Sequence, residues 1–201
     1  MSGEVGSGLI QIVTAAMADV TKRSGDWLKC RPGCSQCCVG VFPIRWQDAD
    51  RIREGLIALG ESDPERAGRV RARTADALTR LDPWFPGDVA TGVLGESYEE
   101  AILFEEFANN EPCPALDLES GACDLYEWRP VLCRTFGPPM RTEENNLATC
   151  ELCYIGASTE EIERCELDPA IPRLEEESNA VHEAATGKKG ETLIAYALRG
   201  C

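Results

Sequence analysis

Cys30-Arg31-Pro32-Gly33-Cys34-Ser35-Gln36-Cys37-Cys38 puts four thiols into nine residues. Apolar packing does not call for that density, whereas metal ligation does. Cysteines two or three residues apart can turn both sulfurs toward one ion, and Cys34 and Cys37 have that spacing. Pro32 and Gly33 predict a tight turn between the first two thiols. Neighbouring side chains on an extended or turn backbone tend to point apart, so Cys37 and Cys38 are not expected to serve one small ion equally. A multi-metal cluster, or two adjacent sites, accommodates them more readily than a lone tetrahedral zinc.

Cys113, Cys123 and Cys133 follow at ten-residue intervals. Taken alone they read equally well as small buried hydrophobes, because free cysteine is often buried. Cys150-Glu151-Leu152-Cys153 repeats the two-residue gap and can complete a thiolate shell. It could also be a redox dithiol, but the strand-then-helix setting of such motifs is not predicted here. Cys165 and Cys201 read as bystanders. The one histidine, His182, lies in a polar helical stretch and is expected to be solvated. A single histidine excludes zinc-hydrolase pairs and the iron site of two histidines and a carboxylate. No glycine-rich phosphate loop is present, so an ATP or NAD enzyme is not expected. Arg129 and Arg134 flank Cys133 and could offset thiolate charge or form ordinary ion pairs.

Outward from the cysteines the pattern is helical. Leu9, Ile12, Val13, Ala16, Met17 and Val20 share a face over 9–20, and Ala49, Ile52, Leu56 and Leu59 do so over 47–60. Asp63-Pro64 starts a helix that runs toward Asp82-Pro83, its arginines forming a solvated face. The stretch 82–96 reads as a loop. Ser97 caps a helix over 97–110 with Ile102, Leu103 and Phe107 inward. Segment 111–153, interrupted by prolines, reads as loop and short helix held together by metal ligation. Further helices are expected from Ser158, from Pro172 and over 191–200. The expected fold is mainly α, with helices packed around an irregular, loop-rich cysteine metal-binding core. A single domain over 1–201 is expected, its metal-binding module at about 30–153 between flanking helices at 1–29 and 154–201.

With 35 acidic against 20 basic residues the net charge is -15. Such a surface repels phosphate backbones and anionic lipid, so neither nucleic acid nor membrane is expected as a partner. No run approaches a membrane span. The opening stretch has no basic region ahead of an apolar run, so export is not expected and the cytoplasm is. In that compartment eleven cysteines speak for an iron-sulfur cluster or zinc rather than a disulfide framework.

The quoted motifs resemble the YkgJ-type cysteine cluster family, named for its CxxCxxCC pattern and described as zinc- or iron-chelating. Here the first motif stands as CRPGCSQCC, with one extra residue in its first gap. The second, CPALDLESGACDLYEWRPVLCRTFGPP, is similar to the family's CPxL, C-x-IY and RPxxCRxF elements in order. The resemblance covers about 30–153. It implies Cys34, Cys37, Cys38, Cys113, Cys123 and Cys133 as ligands, with Cys30, Cys150 and Cys153 as further candidates, and Tyr126, Arg129, Pro130 and Arg134 as residues packing near the metal. The function expected is metal binding with no reaction implied. The alternatives are a metal-stabilised adaptor whose carboxylates at 158–178 recruit a basic protein partner, or a thiol-redox protein without metal.

Overall fold

A computed structural model of the chain describes residues 2–31, 33–142 and 145–201, with side chains from residue 8 onward. Pro32, expected in the first turn, lies outside the described residues. Helix α1 (Ser2–Ser24) buries Leu9, Val13 and Val20, while Ile12 is 45% exposed. Strand β1 (Ile44–Arg45) leads into α2 (Trp46–Ser62), which buries Ala49, Ile52 and Leu56 at helical spacing. Helix α3 (Pro64–Leu81) starts as its sequence predicts: the Asp63 carboxylate accepts the Arg66 N–H at 3.0 Å, and Pro64 occupies the first turn.

The chain continues through β2 (Gly87–Asp88), β3 (Val93–Leu94) and α4 (Tyr98–Glu105), then β4 (Leu116–Asp117), β5 (Ala122–Cys123) and α5 (Val131–Thr135). Next come β6 (Met140–Arg141), β7 (Leu147–Ala148), α6 (Thr159–Arg164) and α7 (Ile171–Thr186), and finally β8 (Glu191–Thr192) and α8 (Ile194–Ala197). Helices α4 and α6 both open on capping boxes, Ser97 with Glu100 and Ser158 with Glu161. The architecture is mainly α; the strands pair antiparallel into two-stranded sheets, β1 with β8, β2 with β3, β4 with β5 and β6 with β7.

Several expectations are corrected. The 82–96 stretch contains the β2–β3 hairpin rather than plain loop. Helix α4 stops at Glu105, and Ile102 and Leu103 are exposed rather than inward, at 46% and 61%. Its anchors are Phe104 and the buried Phe107, whose rings lie 6.2 Å apart, and Ala108 breaks the helical path with φ of 53°. The segment 191–200 begins as a strand on β1 before the short α8. His182 is half-buried on α7, not fully solvated.

Two compact units emerge. One comprises Met1–Cys34 with Val131–Thr186, the other Ser35–Pro130 with Gly187–Cys201. In the first, α1 packs against α5 and α7 around Leu9, Val13, Val20, Val131, Leu167 and Ile171. In the second, α2 packs on α3 and α8. A separate apolar cluster there joins Leu81, Phe85, Leu94, Phe107 and Tyr196, with Phe85 and Tyr196 rings 4.2 Å apart. Among the described residues no helix is long and apolar enough to cross a membrane.

Candidate metal centre

In the unit built on α1, two turns carry Cys34 and the Cys150/Cys153 pair, and Cys30 lies next to them. Cys34 N–H donates to the Arg31 carbonyl at 2.9 Å, with Gly33 at φ 88°, and Cys153 N–H donates to the Cys150 carbonyl at 2.9 Å. Tyr154 follows at φ 57°, unusual for a bulky side chain, and its hydroxyl lies 2.5 Å from Ser24 Oγ in the core. The two turns meet directly: Lys29 N–H donates to Cys153 Sγ at 3.3 Å. Cys30 Sγ lies 3.7 Å from the Phe136 carbonyl, and the Gly137 carbonyl accepts Cys150 N–H at 3.3 Å. Burial, then the Cys153 and Cys34 sulfurs, push the Cys30 thiol up to about 12, and Cys153 stands within hydrogen-bonding reach of it. Burial and the Cys153 and Cys34 sulfurs also raise Cys150.

The other unit gathers a second set. Cys37 and Cys38 sit on a 3-10 turn (Gln36–Cys38). Successive side chains on such a turn are separated by roughly 120°, and the two thiols interact. The hydrogen bond from Cys38 lowers Cys37 to about 6, helped by the Arg129 guanidinium, and the same bond with burial raises Cys38. Cys113 N–H donates to the Cys38 carbonyl at 2.8 Å, beside a bridge between Val39 and Pro112. Cys123 then returns on β5, paired with Leu116 of β4. Burial pushes Cys113 up to about 12 and also raises Cys123.

Sequence reasoning missed the role of α3. Arg66, Arg73 and Arg80, seven residues apart, form a row that binds the 111–124 segment, while Arg69 and Arg71 are exposed as expected. Arg66 Nε and Arg73 donate to the two oxygens of buried Asp124, both at 2.5 Å, and Arg73 Nε donates to the Pro114 carbonyl at 2.8 Å. Arg80 pairs with Glu111 at 2.6 Å. The heptad spacing of these arginines was the available signal. Arg129, stacked 3.5 Å over the Tyr126 ring, acts electrostatically on Cys37 and Cys123. Cys123 also borders a groove lined by Gly55, Leu59, Arg66, Tyr126 and Trp128.

Of the remaining cysteines, Cys133 stands half-buried on α5 in the first unit, Cys165 is buried in the apolar core, and Cys201 lies near the Ala197 carbonyl. All eleven are free thiols. Among the described residues no group of three or more His, Cys, Asp or Glu is already drawn together to hold an ion. The fit to zinc or iron therefore lies in the donors: each set offers four soft sulfurs on turns joined by backbone bonds, with adjacent thiols already in contact.

A family profile matches residues 29–154, well over half of the 201. The chain belongs to the CxxCxxCC family. Its description is "putative zinc- or iron-chelating domain", which supports metal binding and names two metals. The CxxCxxCC match contains all nine cysteines from Cys30 to Cys153 and leaves out Cys165 and Cys201. No curated protein and no solved structure matches the chain.

Proposed function

We propose that this chain holds an iron-sulfur cluster or zinc through thiolates of Cys30, Cys34, Cys37, Cys38, Cys113, Cys123, Cys133, Cys150 and Cys153, and that the metal orders an irregular, loop-rich core. The observation that carries this reading is the gathering of thiols from segments about 80 to 120 residues apart on backbone-bonded turns, inside the matched region. When bound, zinc would supply a charge-dense organising ion, and an iron-sulfur cluster would add electron transfer.

The protein's own residues prepare the sites. Lys29 N–H donates to a sulfur, and Arg129 brings positive charge toward Cys37 and Cys123. Asp124 is tied by Arg66 and Arg73 beside Cys123, fixing the β5 strand that carries that thiol. Reduced thiols in this number suit a reducing compartment, and a cytoplasmic location goes with the reading.

Elemental analysis and a visible spectrum, taken on untagged protein purified without oxygen, test the proposal. Brown protein with iron and acid-labile sulfide supports the cluster; colourless protein with stoichiometric zinc supports zinc. Protein with neither metal refutes both.

A further inference from the structure

We infer that the nine-residue cysteine run is shared between two separate metal centres: Cys30 and Cys34 join Cys150 and Cys153 in one, while Cys37 and Cys38 join Cys113 and Cys123 in the other. This deepens the metal-binding reading and rests on it.

The division follows the backbone. The two compact units part between Cys34 and Ser35, inside the run itself, and again between Pro130 and Val131. Each set of four thiols consequently falls within one unit. In the first, Lys29 N–H to Cys153 Sγ at 3.3 Å and Cys150 N–H to the Gly137 carbonyl at 3.3 Å fasten the two loops around Cys30. In the second, Cys113 N–H to the Cys38 carbonyl at 2.8 Å and Leu116 N–H to the Cys113 carbonyl at 2.9 Å chain Cys38, Cys113 and the β4–β5 hairpin together.

The electrostatic neighbours repeat the partition. Sulfurs acting on Cys30 are those of Cys153, Cys34 and Cys150; sulfurs acting on Cys38 are those of Cys37, Cys113 and Cys123. The sets share no member. The first has the form of a closed four-thiolate site, two short cysteine turns with a residue at positive φ in each, and takes a four-coordinate thiophilic divalent ion such as zinc. The second lies among Arg129, Arg66 and Arg73, whose charge offsets an anionic thiolate centre.

Metal counts on the full-length chain test this. The double variants Cys150→Ser/Cys153→Ser and Cys113→Ser/Cys123→Ser are compared with the unaltered protein, all purified without oxygen. The expected result is two centres per chain in the unaltered protein, with each double variant losing one and keeping the other. One centre in the unaltered protein, abolished by both variants, overturns the partition but leaves the metal reading intact. No metal in the unaltered protein overturns the reading beneath it. Native mass spectrometry of the unaltered chain reads the bound metal and sulfide from added mass and does not need a variant to fold: a single ion or a single cluster refutes the partition, and the mass of two ions, two clusters or one of each supports it.

Discussion

At Gly137 the backbone runs at φ 127°, and a Cβ built there would stand 2.6 Å from Cys30 Sγ and 3.2 Å from Leu28 Cδ1. Its carbonyl is also held by the Cys150 N–H, so the glycine has little freedom to move away. Gly137→Ala is expected to destabilise the protein by about 2 kcal/mol, from backbone strain and overpacking together. A urea titration checks it; an unchanged midpoint would contradict the described crowding at Cys30. The cysteines themselves should separate by position. Cys37→Ser is expected to lower metal content and the unfolding midpoint, whereas Cys201→Ser, near the Ala197 carbonyl at the chain end, should change neither. Equal loading of the two variants would sink the ligand assignment. Which sulfur joins which was not legible in the sequence. The even spacing of Cys113, Cys123 and Cys133 suggests one group, yet the unit boundary at Pro130 puts Cys133 on the other side. Such a division depends on how distant segments close, which spacing along the chain does not encode.

Among the elements, the long helices were legible because burial repeats every three or four residues and the starts carry their own chemistry. Ala49, Ile52 and Leu56 mark α2, Asp63-Pro64 marks α3, and Ser97 and Ser158 open α4 and α6 on capping boxes. The strands were not, because each is two residues long and alternation needs about four to be recognised. Helix α4 misled through composition: Ile102 and Leu103 suggest an inward face, but Phe104 and Phe107 supply the contact. The arginine row of α3 connects an element to the site. Asp124 has a side chain only 4% exposed and accepts from two guanidiniums that are themselves 37% and 23% exposed. Asp124→Asn leaves both arginines without their shared anion. The expected loss is about 2 kcal/mol, below the roughly 3–5 of a fully buried pair because solvent reaches the arginines. Chemical denaturation of the variant beside Arg71→Gln checks this. Arg71 donates to the Cys201 carbonyl at the surface, so equal losses in the two variants would show that Asp124 contributes no more than an ordinary surface contact.

On the scale of the whole molecule, each unit has an apolar cluster of its own, around Leu9, Val13 and Val20 in one and around Leu81, Phe85 and Tyr196 in the other. The cysteine-bearing loops are different in kind. Among the described residues of 111–153 the regular structure consists of two-residue strands, a 3-10 turn and the five-residue α5, and elements so short bury little area. Helices with a buried face can persist on packing alone; loops of this sort need another source of order, which the thiol sites offer. Small zinc domains draw about 10–16 kcal/mol from their metal, and a chain whose units also bury apolar clusters of their own would draw only part of its stability that way. Removing metal with a thiophilic chelator should therefore lower the melting temperature by about 10 °C, since several kcal/mol are lost and each is worth about 2–4 °C at this size. The far-UV helical signal at low temperature should largely survive. Trypsin should then cut at Arg134 and Arg141, which lie on the segments that lose order, before it cuts within α1 or α3. If the chelated chain melts at the same temperature and is cut in the same order as the loaded one, metal does not organise these loops.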